Sequence, residues 1–373
     1  MPVFAPDGSI KYYDLSHLPG IIDCLGKLLK IAIVFGGDGS APGAVKYRSL
    51  NTRNWKSYEV VATDIKDTLT KLGFRHTVLL RDDSSLLENL IKHDIHLVWL
   101  NSGGVQGYNP MSHAPAMLEM MGIPYIGHDP LNVTVLDNKD LFKQQLVALG
   151  FPTSPFFTWN KIKDGNNVYW LEKLPSIFGD YRGPFVVKPV SGRASINIHV
   201  ADIIAEIPRL VDEIYKTTFN HVLIEKYLPG KEYCVAIYGN VKHSANKLTE
   251  FDQPFSFSEV ERHLEPGEMI FTSMDKKAIT KNRVRLLTKA EDREVKEKLG
   301  TLARDVYTYF GLTTLIRLDV RANEEGGLNI LEVNPKPDLK KPEKGVISIV
   351  SAGLEEQEMT YQDLIIGILA TRL

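Results

Sequence analysis

The chain has 373 residues, 43% of them hydrophobic and 24% charged, with a formal net charge of −2 at pH 7. That length accommodates two or three domains with cores of their own. The balanced charge leaves no electrostatic footprint for nucleic acid, and no apolar run approaches the roughly 20 residues of a membrane span. The N-terminus lacks a basic region followed by an apolar stretch, so no signal peptide is expected. The two cysteines, Cys24 and Cys234, form no metal or redox motif. They are expected to act as small buried hydrophobes in a cytoplasmic protein.

In chain order, residues 1–28 read as an extension ending in a helix near Leu28. Ile31 to Phe35 is a continuous apolar run stopped by Gly36-Gly37, the pattern of a buried parallel strand. The glycines suit either a ligand contact or a tight turn. A helix at 55–73, a strand at His76–Leu80, a helix at 84–92, a strand at Ile95–Leu100, a helix at 112–121 and the segment Pro124–Gly127 follow. This alternation predicts a doubly wound α/β layer over residues 1–130.

Beyond it, Asn138–Leu149 reads as a helix, Pro184–Pro189 and Ile196–Val200 as strands, and Ile203–Tyr215 as a helix. Val222–Leu228 and Tyr233–Tyr238 are further strands. These segments predict a small antiparallel α+β domain over 131–227 and a C-terminal α+β domain over 228–373. Residues 241–287 show little regular pattern, and 252–284 read as a mobile flap. Thr288 and Glu291 suggest a capping box for a helix reaching Phe310. A last helix is expected around 359–371.

Two strands around a Gly-rich turn carry the chemistry. A two-residue turn at Glu325-Gly326 sets Asp319 opposite Glu332 and Arg317 opposite Asn334, all on one face. Ile316, Leu318, Val320, Leu331 and Val333 then face a core. Two opposed carboxylates repel, by roughly 4 kcal/mol at ~4 Å and an effective dielectric of about 20. A bound cation removes that repulsion, and Asp, Glu and an Asn carbonyl suit Mg²⁺. Solvated charges on an exposed edge, or carboxylates paired to Arg317, explain the same pattern. Lys188, at a strand end before the loop Ser191–Ser195, is placed either to hold a phosphate or to snorkel at the surface. Glu225, Lys226 and Glu232 lie where a hairpin could frame a base and ribose, or where any surface hairpin would put them.

These segments in this order resemble the ATP-grasp superfamily, most closely the D-alanine–D-alanine ligase family, over roughly residues 30–370. The matched pieces are Gly36-Gly37, Met117–Gly127, Asn138-Lys139, Val187-Lys188-Pro189, Leu223–Leu228 with Gly230-Lys231-Glu232, Arg317-Leu318-Asp319 and Leu331–Asn334. The resemblance implies an ATP-grasp fold and an ATP-dependent carboxylate–amine ligase working through an acyl phosphate. Lys139 and Lys188 would bind the ATP phosphates, with Ser191 and Ser195 in the loop over them. Glu225, Lys226 and Leu228 would read adenine, and Glu232 the ribose. Asp319, Glu332 and Asn334 would hold two Mg²⁺. Arg317, joined by Lys276 and Lys281 of the mobile loop, would act on the reacting groups. The partners implied are a small carboxylate and an amine, with a homodimer possible.

The substrate segments depart from the family pattern. The acidic motif expected after the first glycine pair has no match in Asp38–Ala44, Ala194 replaces a serine, and Asp338 stands where a glycine is usual. This points away from D-alanyl-D-alanine as the product. A nucleotide-binding sensor or scaffold without turnover is the competing reading.

Overall fold

The computed structural model describes residues 3–4, 10–11, 18–45, 55–107, 109–165, 168–192, 196–271, 279–280, 282–342 and 347–372. Ser195, Lys276 and Lys281 lie outside the described residues, as does Ala194.

The N-terminal layer is a parallel four-stranded sheet in the order His76–Arg81, Lys30–Phe35, Leu97–Asn101, Tyr125–Ile126. Its central strand is fully buried because each face has a separate core. Ile31, Ile33 and Phe35 join the helix Glu59–Lys71 on one side, while Ala32 and Val34 join Leu86, Leu90 and Leu118 on the other. Period-two alternation between two apolar faces is what a continuous hydrophobic strand signals. The first of these cores runs on through Leu364, Ile365 and Ile368 of the C-terminal helix Tyr361–Ala370 to Ala236, Tyr238 and Phe257. One contiguous core therefore ties the N-terminal layer to the C-terminal sheet.

The middle of the chain forms an antiparallel sheet ordered Phe156–Trp159, Val222–Lys226, Phe185–Pro189, His199–Ala201. The helix Ile207–Thr218 packs on it through Ile207, Leu210, Val211 and Ile214. The strand Phe156–Trp159 has no counterpart in the sequence reading, and the expected strand at 196–200 begins only at His199.

A second antiparallel sheet is ordered Val284–Leu286, Phe255–Arg262, Glu232–Tyr238, Ile316–Ala322, Leu328–Asn334. The helix Arg293–Tyr309 covers it with Leu299, Ala303 and Val306. This sheet corrects the reading of 241–287 as unpatterned, since Phe255–Arg262 is bonded to neighbours on both sides. It also removes that strand from the flap expected at 252–284. The polar alternation of Ser256 and Ser258 with Phe255 and Phe257 hides a strand that is buried on both faces. Val241–Ser244 and Lys247–Glu250 make a separate hairpin.

Three smaller expectations also change. The helix begins at Arg293, and the partner of Thr288 is Asp292, whose carboxylate accepts from the Thr288 amide at 3.0 Å. The Glu291 amide still donates to the Thr288 hydroxyl at 3.3 Å. Cys24 is exposed, while Cys234 is buried as expected.

The hairpin turn differs most instructively. Five residues, 323–327, close it, with Asn323 donating its amide to Gly327 and accepting from Gly327 and Glu325 through Oδ1. Leu331 is the extra residue of a bulge, so Val320 pairs with Ile330 and the two hairpin ends differ in register by one residue. Ile330, not Leu331, enters the core. The longer turn and the bulge offset each other, and Asp319–Glu332 and Arg317–Asn334 remain the observed pairs.

Candidate active site

A cleft of about 210 Å³ opens where the three sheets meet. Six of the sequence-predicted residues line it: Lys139, Lys188, Arg317, Asp319, Glu332 and Asn334. Among the described residues, six cationic and four acidic side chains line the cleft, an excess of two positive charges suited to a polyanion.

Lys139 and Lys56 each reach the cleft by a local device. Asn138 caps the helix Lys139–Ala148, its side chain accepting from the Leu141 amide at 3.1 Å. That cap places Lys139 on the first helical turn, where the helix dipole adds to the positive potential. Lys139 pairs with Glu332 at 3.2 Å. Gly36 lets the chain at Lys56 approach, since a Cβ there would meet the Lys56 carbonyl at 2.2 Å. The Asn101 amide holds the Tyr58 carbonyl at 3.1 Å. The glycine pair thus serves close packing, and the packing delivers Lys56 and Tyr58 to the cleft.

The hairpin face is a charge network. Arg317 forks both oxygens of Asp319, at 2.7 and 2.8 Å. Arg262 reaches Asp319 at 3.0 Å and Glu232 at 2.8 Å, and its guanidinium lies 5.0 Å from the centre of the Phe271 ring. Burial alone would raise the Asp319 carboxyl, but Arg262 and Arg317 outweigh it and hold it well below the usual carboxylate range. Glu332 is likewise lowered, with burial opposed by Lys139 and Lys188. Both carboxylates are therefore ionised, with opposite cations supplied by the chain.

Glu225, Lys226, Leu228, Glu232 and Ser191 do not line this cleft. The Glu225 carboxylate is buried between Lys188 and Lys143, the latter at 2.8 Å. Burial alone would raise its pKa, yet the two ammonium groups bring it down to about 2. Glu232 is held by Arg262 and, at 3.3 Å, by Arg321. The Lys226 ammonium lies 4.7 Å from the centre of the Tyr181 ring. Leu228 is buried. The Ser191 hydroxyl donates to Asp137 at 2.9 Å.

Sequence reasoning missed Lys143 and Arg262 as members of the site or its support, and noted Asp338 only as a departure from the family pattern. Arg262 ends a strand concealed by its polar alternation. Lys143 sits one helical turn after Lys139 on a helix already recognised, so its i+4 spacing was the available signal.

Asp319, Glu332 and Asn334 offer hard oxygen donors of the kind Mg²⁺ takes, and they sit on adjacent cross-strand positions. Among the described residues no group of three or more His, Cys, Asp or Glu is placed to hold a metal. A Mg²⁺ ion here fits only with ligand phosphates or water completing its shell, as is usual for that ion. Among the described residues no helix is long and apolar enough to cross a membrane.

Known proteins resemble this chain in sequence and fold. An uncharacterised protein of Sinorhizobium fredii is 26% identical over 321 residues, covering 83% of this chain and 86% of its own. A D-alanine–D-alanine ligase of Gloeobacter violaceus is 26% identical over 297 residues, covering 79% and 89%. The crystal structure of the D-alanine–D-alanine ligase from Bacillus anthracis complexed with ATP superposes with a TM-score of 0.65 at 19% identity, covering 92% of this chain and 97% of that one. This likeness gives the chain the ATP-grasp fold. Residues 146–370, well over half of the sequence, match the family model described as the D-ala D-ala ligase C-terminus, and the chain therefore belongs to the D-alanine–D-alanine ligase family of ATP-grasp carboxylate–amine ligases.

Proposed function

We propose that the protein joins a small carboxylate to an amine at the expense of ATP, through an acyl phosphate, with an amino acid or similar molecule as substrate. The observation that carries this reading is the convergence of Lys139, Lys188, Arg262 and Arg317 on the facing pair Asp319 and Glu332. A cleft that merely bound a phosphate would need the cations alone. The facing carboxylates, neutralised in this structure by Arg317, Arg262 and Lys139, are in addition the hard oxygen donors that a divalent cation arriving with the ligand would use.

In the first step a carboxylate oxygen attacks the γ-phosphorus, the bond from phosphorus to the bridging oxygen breaks, and ADP leaves with the electron pair. Lys139 and Lys188 orient the phosphates by charge, and Arg317 presents a planar fork to oxygens that gain charge. Asp319, Glu332 and Asn334 would hold Mg²⁺, which supplies charge neutralisation to the phosphoryl oxygens when bound. In the second step the amine nitrogen attacks the acyl carbon, phosphate departs with the electrons of the carbon–oxygen bond, and the nitrogen loses a proton. The product is an amide.

The test is release of phosphate from Mg-ATP with paired carboxylates and amines, read together with product mass. Phosphate release accompanied by an adduct of amide mass is expected. Phosphate release that never yields an amide would overturn the reading.

A further inference from the structure

We propose that Cys234 is a positioning residue for the Mg²⁺ site: its thiol fixes the carboxylate of Asp319 so that one defined oxygen, Oδ2, is offered to the ion. This rests on the metal reading of Asp319 given above and deepens it by assigning the group that orients the ligand.

Four residues form one cross-strand row of the C-terminal sheet. Val260 pairs with Cys234, Cys234 with Asp319, and Asp319 with Glu332. Residues paired in this way project to the same face. Cys234 therefore stands on the side of Asp319 away from Glu332. Its side chain is fully buried, packed with Val260, Phe271, Ile279, Val284 and Ile349. The Cys234 thiol donates from Sγ to Asp319 Oδ1 at 3.2 Å. A thiolate there would press two buried anions together, so the sulfur keeps its proton and acts as a donor.

Among the described residues three side chains donate to Asp319, and they are not equivalent. Oδ1 takes Arg317 Nε at 2.7 Å and the Cys234 thiol. Oδ2 takes Arg317 Nη2 at 2.8 Å and Arg262 Nη2 at 3.0 Å. A carboxylate has about four acceptor positions, so an ion reaches Asp319 only where a donor gives way. Both arginines line the cleft, and a polyphosphate offers their guanidinium groups competing anionic oxygens. Cys234 is short, neutral and closed off from the cleft, so it is the donor that stays. Oδ1 then remains tied to the core, and Oδ2, held only by guanidinium nitrogens, is the oxygen released. The terminal torsion of an aspartate is soft. Without the thiol nothing in the core would set the carboxylate plane once the arginines turn to the ligand. Hydrogen bonds of this kind behind a ligating carboxylate orient it and tune metal affinity.

The test titrates Mn²⁺, in place of Mg²⁺, into the full-length protein with a non-hydrolysable ATP analogue, and follows free Mn²⁺ by its paramagnetic resonance against the analogue alone. Cys234→Ala should weaken Mn²⁺ binding by about 10-fold, the lower end of what loss of such a partner costs. Cys234→Ser, which keeps a donor, should retain most of the affinity. Val260→Ala, which removes apolar volume from the same row, should lower the melting temperature and leave Mn²⁺ affinity at the parent value. Should Cys234→Ala fail to fold, Cys234→Val, which fills the space without a donor, carries the same comparison. Parent-like Mn²⁺ affinity in the donorless variant, an equal loss in Cys234→Ser or Val260→Ala, or failure of both donorless variants to fold would overturn the assignment and make Cys234 a core residue only. A parent protein that holds Mn²⁺ no better than the analogue alone would instead count against the metal reading itself.

Discussion

Asp319 lies directly opposite Glu332 across the antiparallel hairpin, yet the two carboxylates lean on different cations. Asp319 is clasped by Arg317 and Arg262, and Glu332 pairs with Lys139. Two like charges at neighbouring positions are tolerated because each is neutralised from its own side. Those same cations are the ones a polyphosphate would meet.

Removing the Glu332 charge should therefore separate the metal role from the fold. Glu332→Gln should cut turnover steeply and raise the Mg²⁺ requirement of what remains, with a melting temperature close to that of the parent. Titration of activity against Mg²⁺ decides it, and an unchanged Mg²⁺ dependence would refute the assignment.

Arg317 should act on reacting oxygens rather than on ATP affinity. Its fork is geometrically matched to a carboxylate or phosphate, and a lysine presents only a point charge. Arg317→Lys should lower kcat by about 10²–10³ with the KM for ATP nearly unchanged. Near-normal kcat would mean that Arg317 does no more than neutralise Asp319.

Lys139 and Lys143 lie one helical turn apart and should behave oppositely. Lys139 is near the cleft and partly exposed, so Lys139→Ala should raise the KM for ATP with little change in stability. Lys143 is wholly buried and shares Glu225 with Lys188. Lys143→Met leaves that carboxylate short of one partner, at a cost of about 3–5 kcal/mol. Urea denaturation of the two variants, set beside their ATP kinetics, checks the contrast. A stability loss in Lys139→Ala as large as that in Lys143→Met would remove the distinction.

Acid should release the same buried contact. The folded-state pKa of Glu225 is brought from 4.5 down to about 2. A lowered carboxyl contributes stability that is fully present above the unfolded value and is lost as pH falls through the folded one. The window is thus about pH 4.5 to 2, and the amount is on the order of 3 kcal/mol. Denaturation midpoints at pH 6, 4 and 3 should fall more steeply in the parent than in Glu225→Gln. Parallel slopes would show that other carboxylates dominate acid unfolding.

Arg262 binds two carboxylates from different strands, Glu232 and Asp319, and rests against Phe271. Arg262→Met should destabilise the sheet by about 3–5 kcal/mol and also weaken ATP use. Phe271→Ala should reproduce the kinetic defect more mildly by loosening the guanidinium. Normal ATP kinetics in both would make Arg262 purely a brace of the sheet.

Local patterns in the chain were enough to specify the parallel layer, because a strand buried on both faces is a continuous apolar run. They also put Asp319 and Glu332 on one face of the hairpin, because side-chain alternation is a property of the backbone. Even there, the bulge at Leu331 and the longer turn at 323–327 were invisible, and the pairing survived because the two offset each other. The strand Phe255–Arg262 was illegible for a related reason. Its serines and glutamates are polar in sequence and buried in the fold, where Glu259 is satisfied by Lys296 at 2.7 Å and Glu261 by Arg285 at 2.7 Å. Only the tertiary structure could decide which cation meets which anion. Lys143 and Lys188 find Glu225, and Arg262 finds Asp319, across separations in sequence that no local pattern spans. Ion pairing depends on where charges end up in space, whereas strand and helix formation depend on what lies within a few residues along the chain.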